Sequence, residues 1–377
     1  MKFRIAIVLA LCFFLSIGSA EELSTRLTDD AFWKLITDFS EQGGRFPSDN
    51  FASNELAIQR ILPELARGRK AGGAYLGVGP EQNFTYIVAL KPKIAFIIDI
   101  RRQNLIEHLM YKAMIEMSAD RADFISQLFS RPRPEGIGKA STVTELFKAY
   151  HDIEPDLMLF QSNVEAVNNH LIKDHGFTLT AEDQNVLAYI MRAFVSGGPS
   201  LGYAGPQPLQ PVAPRILPTY EELMVDRDDD GRQQSYLATE ENFLTLQEFE
   251  KNNLIVPIVG DFAGTGAFHS VGDYLRKHGA VVSALYTSNV EQYLFMSEDW
   301  KAFYKNVSTL PLDAKSVFIR PLINTGDIRV GPGPYSASPQ FRTGFHFDTF
   351  LFPIKDLVTA FDGGMIETYY DVIASRN

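Results

Sequence analysis

The stretch AYLGVGPEQNFTYIVALKPKIAFIIDI, residues 74–100, constrains the fold more than any other part of the chain. A short apolar run from Ala74 to Leu76 leads into a glycine turn, and Asn83 to Leu90 has a helical pattern. Ile94 to Ile98 is a continuous apolar run, as in a strand buried on both faces. Strand, crossover helix and second strand together predict two parallel strands of an α/β sheet.

The turn and the end of the second strand carry residues that suit a ligand. Gly77 and Gly79 lack a Cβ atom, so the backbone can adopt positive φ and a ligand can come close. Asp99 lies about 20 residues further on, where a dinucleotide fold places its ribose acceptor. Gln82 replaces the third glycine of that pattern, and Glu81 would repel a diphosphate but not the cationic amino-acid end of S-adenosylmethionine. A crossover that binds nothing is an equally good interpretation.

A second α/β segment follows far downstream. Residues 255–259 and 281–286 are predicted strands, with a helix over 267–278 between them. Two further strands are predicted at residues 316–322 and 344–352. The sequence therefore predicts an α/β protein with one Rossmann-like, mostly parallel sheet.

The remaining segments are mainly helical. Residues 21–70 form an N-terminal helical segment, and residues 71–377 form the α/β domain with a large helical insertion at about 103–250. The insertion opens with a long predicted helix over residues 103–129. It also contains a proline- and glycine-rich stretch at 196–218, interpreted as a surface connection.

Polar residues follow the predicted strands of the second segment. Asp261 and Phe262 lie just past the end of one strand, and Asn289 follows the next. Substrates bind at the carboxyl ends of strands in open α/β sheets, so these residues are expected to converge with Gly77. Asp261 could equally cap the next helix. Further polar residues expected on this edge are Ser288, Glu291 and Gln292.

The turn VGDFAGTG, residues 259–266, suggests an alternative. Gly260, Gly264 and Gly266 match the spacing of the cofactor turn in short-chain dehydrogenases. The following strand ends in Thr287-Ser288-Asn289 without an acid, and downstream no Tyr has a Lys four residues later. Both features disfavour that family.

The N-terminus is typical of a signal peptide. Lys2 and Arg4 precede an apolar run over residues 5–17, and Gly18-Ser19-Ala20 supplies the small residues of a cleavage site. We therefore expect residues 1–20 to be removed and the protein to be exported, periplasmic or secreted. Cys12, the only cysteine, lies inside this segment.

Charge and motif spacing disfavour several functions. The net charge of −11 argues against nucleic-acid binding. The turn DRDDDG, residues 226–231, has the acids of a calcium loop, but Leu237 stands where a bidentate Glu is required, so a solvated acidic turn is favoured. His170 and His175 lack the i,i+4 spacing of a helical zinc motif, and no metal is predicted.

The loop RFPSDNFASNE, residues 45–55, holds a dense cluster of polar residues. A turn followed by the N-cap of a helix is the favoured interpretation of this cluster.

The motifs GVGPEQN, FIIDI, LATEENF, VPIVGDFAG and SNVEQYLF together resemble a family of largely uncharacterised bacterial proteins with a class I S-adenosylmethionine-dependent methyltransferase-like fold. The resemblance covers roughly residues 46–352. It implies S-adenosylmethionine as cofactor and a small molecule as methyl acceptor. It implies that Asp261 lies near the methyl donor, with Asn289 as a second candidate catalytic residue. The residues expected to bind the cofactor are Gly77, Gly79, Glu81, Asn83, Asp99, Ile100, Arg101 and Phe262.

Two alternatives to an exported methyltransferase remain open. One is a non-catalytic protein that binds a nucleoside or another small molecule, because S-adenosylmethionine is made in the cytosol. The other is an NAD-dependent oxidoreductase.

Overall fold

The computed structural model describes residues 22–67, 72–206, 217–323 and 347–374. The predicted signal peptide, residues 1–20, lies outside the described residues. The strands within them are β1 (Ala74–Gly77), β2 (Ile94–Asp99), β3 (Leu201–Gly202), β4 (Gly205–Pro206), β5 (Ile255–Val259), β6 (Val282–Tyr286), β7 (Val317–Ile323) and β8 (Phe347–Pro353).

Six of these strands form one sheet in the order β5-β2-β1-β6-β7-β8. The first five are parallel, and β8 at the edge is antiparallel to β7. The predicted Rossmann-like, mostly parallel α/β fold is thereby confirmed. Chain order reverses between β1 and β6, and ligands of open α/β sheets bind in the crevice at such a switch point.

Helices cover both faces of the sheet. They are α1 (Asp29–Phe39), α2 (Leu62–Ala66), α3 (Gln82–Leu90), α4 (Arg102–Met117), α5 (Arg121–Phe129), α6 (Val143–His151), α7 (Leu157–Asn169), α8 (Ala181–Gly197), α9 (Tyr220–Val225), α10 (Glu240–Lys251), α11 (Ala267–Lys277), α12 (Val290–Met296), α13 (Trp300–Ser308), α14 (Ile354–Asp362) and α15 (Tyr369–Ala374). Short 3₁₀ turns lie at Ile58–Ile61 and Gly198–Ser200, and a π turn spans His170–Asp174.

The single long helix predicted over residues 103–129 is wrong, because the chain forms α4 and α5 there. Ser118 ends α4, and its hydroxyl donates to the Met114 carbonyl at 2.6 Å. Asp120 caps α5 by accepting a hydrogen bond from the Asp123 amide at 2.8 Å. Short polar side chains that bond to nearby backbone stop one helix and start the next.

The sheet forms the centre of the core, since residues 94–98 of β2 are at most 1% exposed. The N-terminal helix α1 packs on β5, and α4 packs on β2 and β5. Backbone hydrogen bonds also join the segment after α1 to the sheet. The Glu41 amide donates to the Val259 carbonyl and the Gly44 amide to the Ile100 carbonyl, both at 2.8 Å. No helix in the described part of the chain is long and apolar enough to cross a bilayer.

Candidate functional site

A partly enclosed cleft of about 170 Å³ lies at the carboxyl edge of the sheet. Its walls come from the segments that follow β1, β2, β5 and β6, with further residues from loop 45–54 and the β3–β4 turn. Seven predicted site residues line this cleft: Gly79, Asp99, Ile100, Arg101, Asp261, Phe262 and Asn289. The structure therefore brings together residues that are distant in the sequence, at the edge where a parallel sheet binds its ligands.

Gly77 and Asn83 do not line the cleft, and their role is to hold the turn after β1. The Asn83 amide donates to the carbonyls of Val78, Gly79 and Pro80 at 3.0, 3.1 and 2.8 Å. A Cβ atom on Gly77 would stand 2.0 Å from Asn83 Oδ1, so glycine is required there by packing. Of the two glycines, only Gly79 has positive φ, +79°, and only Gly79 faces the cleft.

Glu81 also lies outside the lining of the cleft and is fully buried. Its Oε1 accepts a hydrogen bond from the Ser53 amide at 3.2 Å. Burial, which disfavours the charged form, raises the pKa of Glu81 to about 7, and the nearby Glu55 adds to the effect. This carboxyl group fixes loop 45–54 against the turn after β1.

Asp99 lies at the cleft, but Arg101 donates hydrogen bonds to most acceptor positions of its carboxylate. The Arg101 amide and Nε donate to Oδ1 at 2.9 and 3.1 Å, and Nη2 donates to Oδ2 at 2.8 Å. A carboxylate offers about four acceptor positions, so about one remains, on Oδ2. In this arrangement Asp99 can accept about one hydrogen bond from a ribose.

The glycine turn at residues 259–266 surrounds a carboxylate of the protein itself. The amides of Asp261 and Gly266 both donate to Glu41, the former at 3.0 Å to Oε2. A Cβ atom on Gly264 would stand 2.8 Å from Glu41 Oε2. Two of the backbone donors that a dehydrogenase turn would offer to a diphosphate are thus bonded to Glu41.

The three other predicted residues at the strand ends have different environments. Asp261 is exposed, and its Oδ1 accepts from the Ala263 amide at 2.9 Å. The alternative that Asp261 caps the next helix is wrong, because Gly266 is the N-cap residue of α11. Phe262 is buried and stacks on Phe303 with ring centroids 5.4 Å apart. Asn289 is the N-cap residue of α12, but its side chain makes no capping bond.

Glu291, expected on the same edge, is instead part of the core. It is 1% exposed and accepts two hydrogen bonds from Arg320, at 2.6 and 2.8 Å. The Tyr304 hydroxyl donates to it at 2.7 Å. This expectation is wrong because α12 turns the side chain of Glu291 inward toward β7.

Loop 45–54 supplies cleft residues that the sequence analysis assigned to a turn and a helix cap. Asn50, Ser53 and Asn54 line the cleft, together with Arg45 and Phe46. The 3₁₀ turn that follows begins after Ala57, which makes no side-chain cap, so the N-cap interpretation is wrong. The density of polar residues in this loop was the signal for a site.

Two tyrosines complete the cleft without any signal in the sequence. Tyr293 lies on α12 and packs edge-on against Phe46, with ring centroids 5.1 Å apart. Tyr203 lies in the turn of the β3–β4 hairpin, and its carbonyl accepts from the Phe51 amide at 3.0 Å. The stretch at 196–218 is therefore more than a surface connection.

Gln82 carries a polar atom of the cleft that has no hydrogen-bond partner in the described part of the chain, and Asn50 Oδ1 is another. Gln82 is 2% exposed, and its Nε2 donates to the Val78 carbonyl at 3.0 Å, whereas its Oε1 is buried without a hydrogen bond. A buried acceptor without a partner is costly, so a donor from a ligand or water is expected here.

The acidic turn at residues 226–231 is held by the side chain of Arg232, which follows it. Asp228 is 5% exposed, and its Oδ2 accepts from Arg232 Nε at 3.0 Å. Arg232 Nη2 also donates to Asp230 at 2.6 Å. Asp228 is thus a buried, paired acid, although the sequence favoured a solvated turn.

The fold and the cleft define the class of this molecule, a Rossmann-like α/β protein with a cleft at the carboxyl edge of its sheet. The chain belongs to the family described as Domain of unknown function (DUF7790), whose model matches residues 50–349. The match includes every residue of the cleft except Arg45 and Phe46. No curated protein matches the chain.

Proposed function

We propose that this protein binds a small molecule with a nucleoside part, of the S-adenosylmethionine type, in the cleft at the carboxyl edge of the sheet. The observation that carries the proposal is the convergence of four parallel strand ends on one cleft beside the switch point. Because residues 1–20 are predicted to be a signal peptide, the proposal includes that binding takes place outside the cytosol.

The lining of the cleft suits an aromatic base joined to a polar sugar. Phe46, Tyr203, Phe262 and Tyr293 supply aromatic surface, while side-chain amides of Asn54 and Asn289 supply hydrogen-bond donors and acceptors. Small-molecule sites combine a mainly apolar wall with a few placed polar groups. Ligand pockets usually span about 300 to 1,000 Å³, so the ligand is expected to extend through the open side of this smaller cleft.

Methyl transfer to a small acceptor is the second part of the proposal, and Asp261 supports it. Its Oδ1 is engaged by the Ala263 amide, while its Oδ2 makes no hydrogen bond to the described residues. An exposed carboxylate oxygen at the cleft can accept a proton from an acceptor hydroxyl or amine as the methyl group is transferred. Binding without catalysis remains the alternative.

Calorimetric titration of the untagged protein with S-adenosylmethionine, S-adenosylhomocysteine, adenosine and NAD tests the binding step. We expect the first two to bind. Tyr293→Ala should weaken binding by about tenfold, since stacking on a base contributes about 1 to 3 kcal/mol. Tyr370→Ala is the matched control, because Tyr370 is 52% exposed and lies outside the cleft, whereas Tyr293 is 43% exposed. The proposal would be contradicted if none of the four compounds binds, or if both variants lose the same amount of binding affinity.

Transfer is tested with S-adenosylmethionine labelled in its methyl group. The wild type, incubated with a small-molecule extract, should give a labelled product that mass spectrometry detects. Asp261→Asn should bind the labelled donor normally but give no product. Binding without a product in the wild type would favour the non-catalytic alternative.

A further inference from the structure

A second cluster of functional side chains lies far from the cleft. Glu116 near the end of α4, His170 and His175 offer three ligand atoms that all lie within 4.8 Å of one another. Glu116 Oε2 is 2.8 Å from His170 Nε2 and 2.7 Å from His175 Nε2. Arg101 of the cleft precedes α4, so Glu116 lies about 22 Å away along the helix.

The π turn at residues 170–174 explains why sequence spacing gave no hint of this cluster. In an α-helix, residues five apart point about 140° away from each other. Here the His175 amide donates to the His170 carbonyl at 3.0 Å, the i→i+5 bond that defines a π turn. The turn brings the two imidazoles together, with ring centroids 4.7 Å apart.

Each histidine is oriented by a carboxylate at its other ring nitrogen. His170 Nδ1 is 2.9 Å from Asp174 Oδ2, and His175 Nδ1 is 2.7 Å from Asp29 Oδ1 on α1. Metal-bound histidines almost always donate their second N–H to such an outer partner, which fixes the ring and its tautomer. Asp29 is itself held by Asn253 Nδ2 at 2.9 Å.

We propose that Glu116, His170 and His175 bind one divalent transition-metal ion of the Zn²⁺ class. Two imidazole nitrogens and one carboxylate oxygen are a ligand set that zinc prefers, whereas Mg²⁺ and Ca²⁺ prefer oxygen alone. The ion joins α1, α4 and the π turn, and its fourth position is left for water.

The charges of the cluster match a divalent ion. Glu116, Asp29 and Asp174 are three carboxylates, and Lys112 contributes one ammonium group, 2.6 Å from Glu116 Oε1. Both imidazoles face a carboxylate oxygen at each of their two nitrogens. A divalent ion between the two Nε2 atoms and Glu116 leaves each Nδ1 free to donate to its outer carboxylate.

The cluster is also accessible and close to the required size. The side chains of His170 and His175 are 20% and 14% exposed, so an ion can reach them from solvent, and Glu116 is 5% exposed. Tetrahedral zinc with bonds of about 2.0 to 2.1 Å holds its ligand atoms about 3.3 Å apart. The two contacts of Glu116, at 2.8 and 2.7 Å, need to open by only about half an ångström, and all three ligand atoms already lie within 4.8 Å of one another.

The test is calorimetry of the full chain, untagged and stripped of metal, titrated with Zn²⁺ and separately with Mg²⁺. We expect one Zn²⁺ per chain with a Kd of about 1 μM or tighter, and no binding of Mg²⁺. His175→Gln should abolish the tight site, and Asp29→Asn should weaken it by about 10- to 100-fold. His151→Gln, an exposed histidine outside the cluster, is the control and should leave binding unchanged.

The wild type alone provides a second measurement if a variant fails to fold. Co²⁺ in place of Zn²⁺ should give the intense visible absorption of a four-coordinate site, and Zn²⁺ should displace it. Zn²⁺ should also raise the Tm of the wild type but not of His175→Gln. Absence of one-to-one binding, or equal Zn²⁺ affinity in wild type and His175→Gln, would show that the cluster is only a network of ion pairs.

Discussion

At the scale of a residue, Asp99 shows how a neighbouring side chain changes the role expected from the sequence. The sequence placed it at the end of a buried strand, as a ribose acceptor. The structure adds a bond to the Arg101 guanidinium through both oxygens, with the two side chains 8% and 6% exposed. The acid that was expected to recognise a ligand is therefore mainly part of a buried ion pair at the wall of the cleft.

The first prediction is that Asp99→Ala destabilises the protein by about 3 to 5 kcal/mol. The substitution leaves Arg101 as a buried charge without its carboxylate, which is the costly case for an ion pair. Urea denaturation gives the change in the free energy of unfolding. Asp38→Ala, an exposed acid paired with Lys34, is the control and should change it by less than about 0.5 kcal/mol. An effect of Asp99→Ala as small as that of the control would contradict the structural role.

At the scale of elements, the Glu41 side chain helps to fasten the segment after α1 to the sheet, beside Ser40, whose Oγ accepts from the Val259 amide at 3.1 Å. Glu41 accepts hydrogen bonds from the amides of Asp261 and Gly266, and its own amide donates to the Val259 carbonyl at 2.8 Å. These contacts close the glycine turn between β5 and α11. The same turn forms part of the cleft through Gly260, Asp261 and Phe262.

We therefore predict that Glu41→Ala loosens the junction of α1, β5 and α11. Two backbone donors lose a charged acceptor, and such bonds contribute about 1.5 to 3 kcal/mol each, less where water can replace them. Hydrogen exchange should increase at the amides of Asp261 and Gly266, whereas Glu64→Ala on α2 should leave it unchanged. Equal protection of these amides in Glu41→Ala and the wild type would refute the role of Glu41.

At the scale of the whole molecule, several acids are buried without a full set of partners. Burial raises the pKa of Glu55 to about 7, of Glu81 to about 7 and of Glu250 to about 8, and it raises that of Glu107 well above its usual range. Burial also lowers the pKa of His108 to about 4. These acids keep their protons in the folded state at pH values where the unfolded chain has lost them.

The sign of the pH dependence follows from this difference. Between about pH 4.5 and 8 the folded state binds more protons through these acids, so stability falls as the pH rises. His108 acts in the opposite direction, but only below about pH 6.5. We predict a higher Tm at pH 5.5 than at pH 8, and a flatter dependence in the double variant Glu55→Gln/Glu81→Gln. A Tm that rises from pH 5.5 to 8 would contradict the raised pKa values of these buried acids.

The sequence by itself determined the strands of the sheet and the edge at which a site should form. Residues 94–98 and 255–259 are continuous apolar runs, as in strands buried on both faces. Because parallel strands end at the same edge, the positions of Asp99, Asp261 and Asn289 followed from their place after each strand. These inferences depend on local periodicity, which a single sequence records.

Only the tertiary structure decided which side chains those residues meet. Glu41 binds an amide 225 residues away, and His175 meets Glu116 across 59 residues through a π turn. Loop 45–54 and Tyr203 reach the cleft because the N-terminal segment and the insertion fold back onto the sheet. Such contacts depend on the distance between atoms in space, and the spacing of residues along the chain carries no record of that distance.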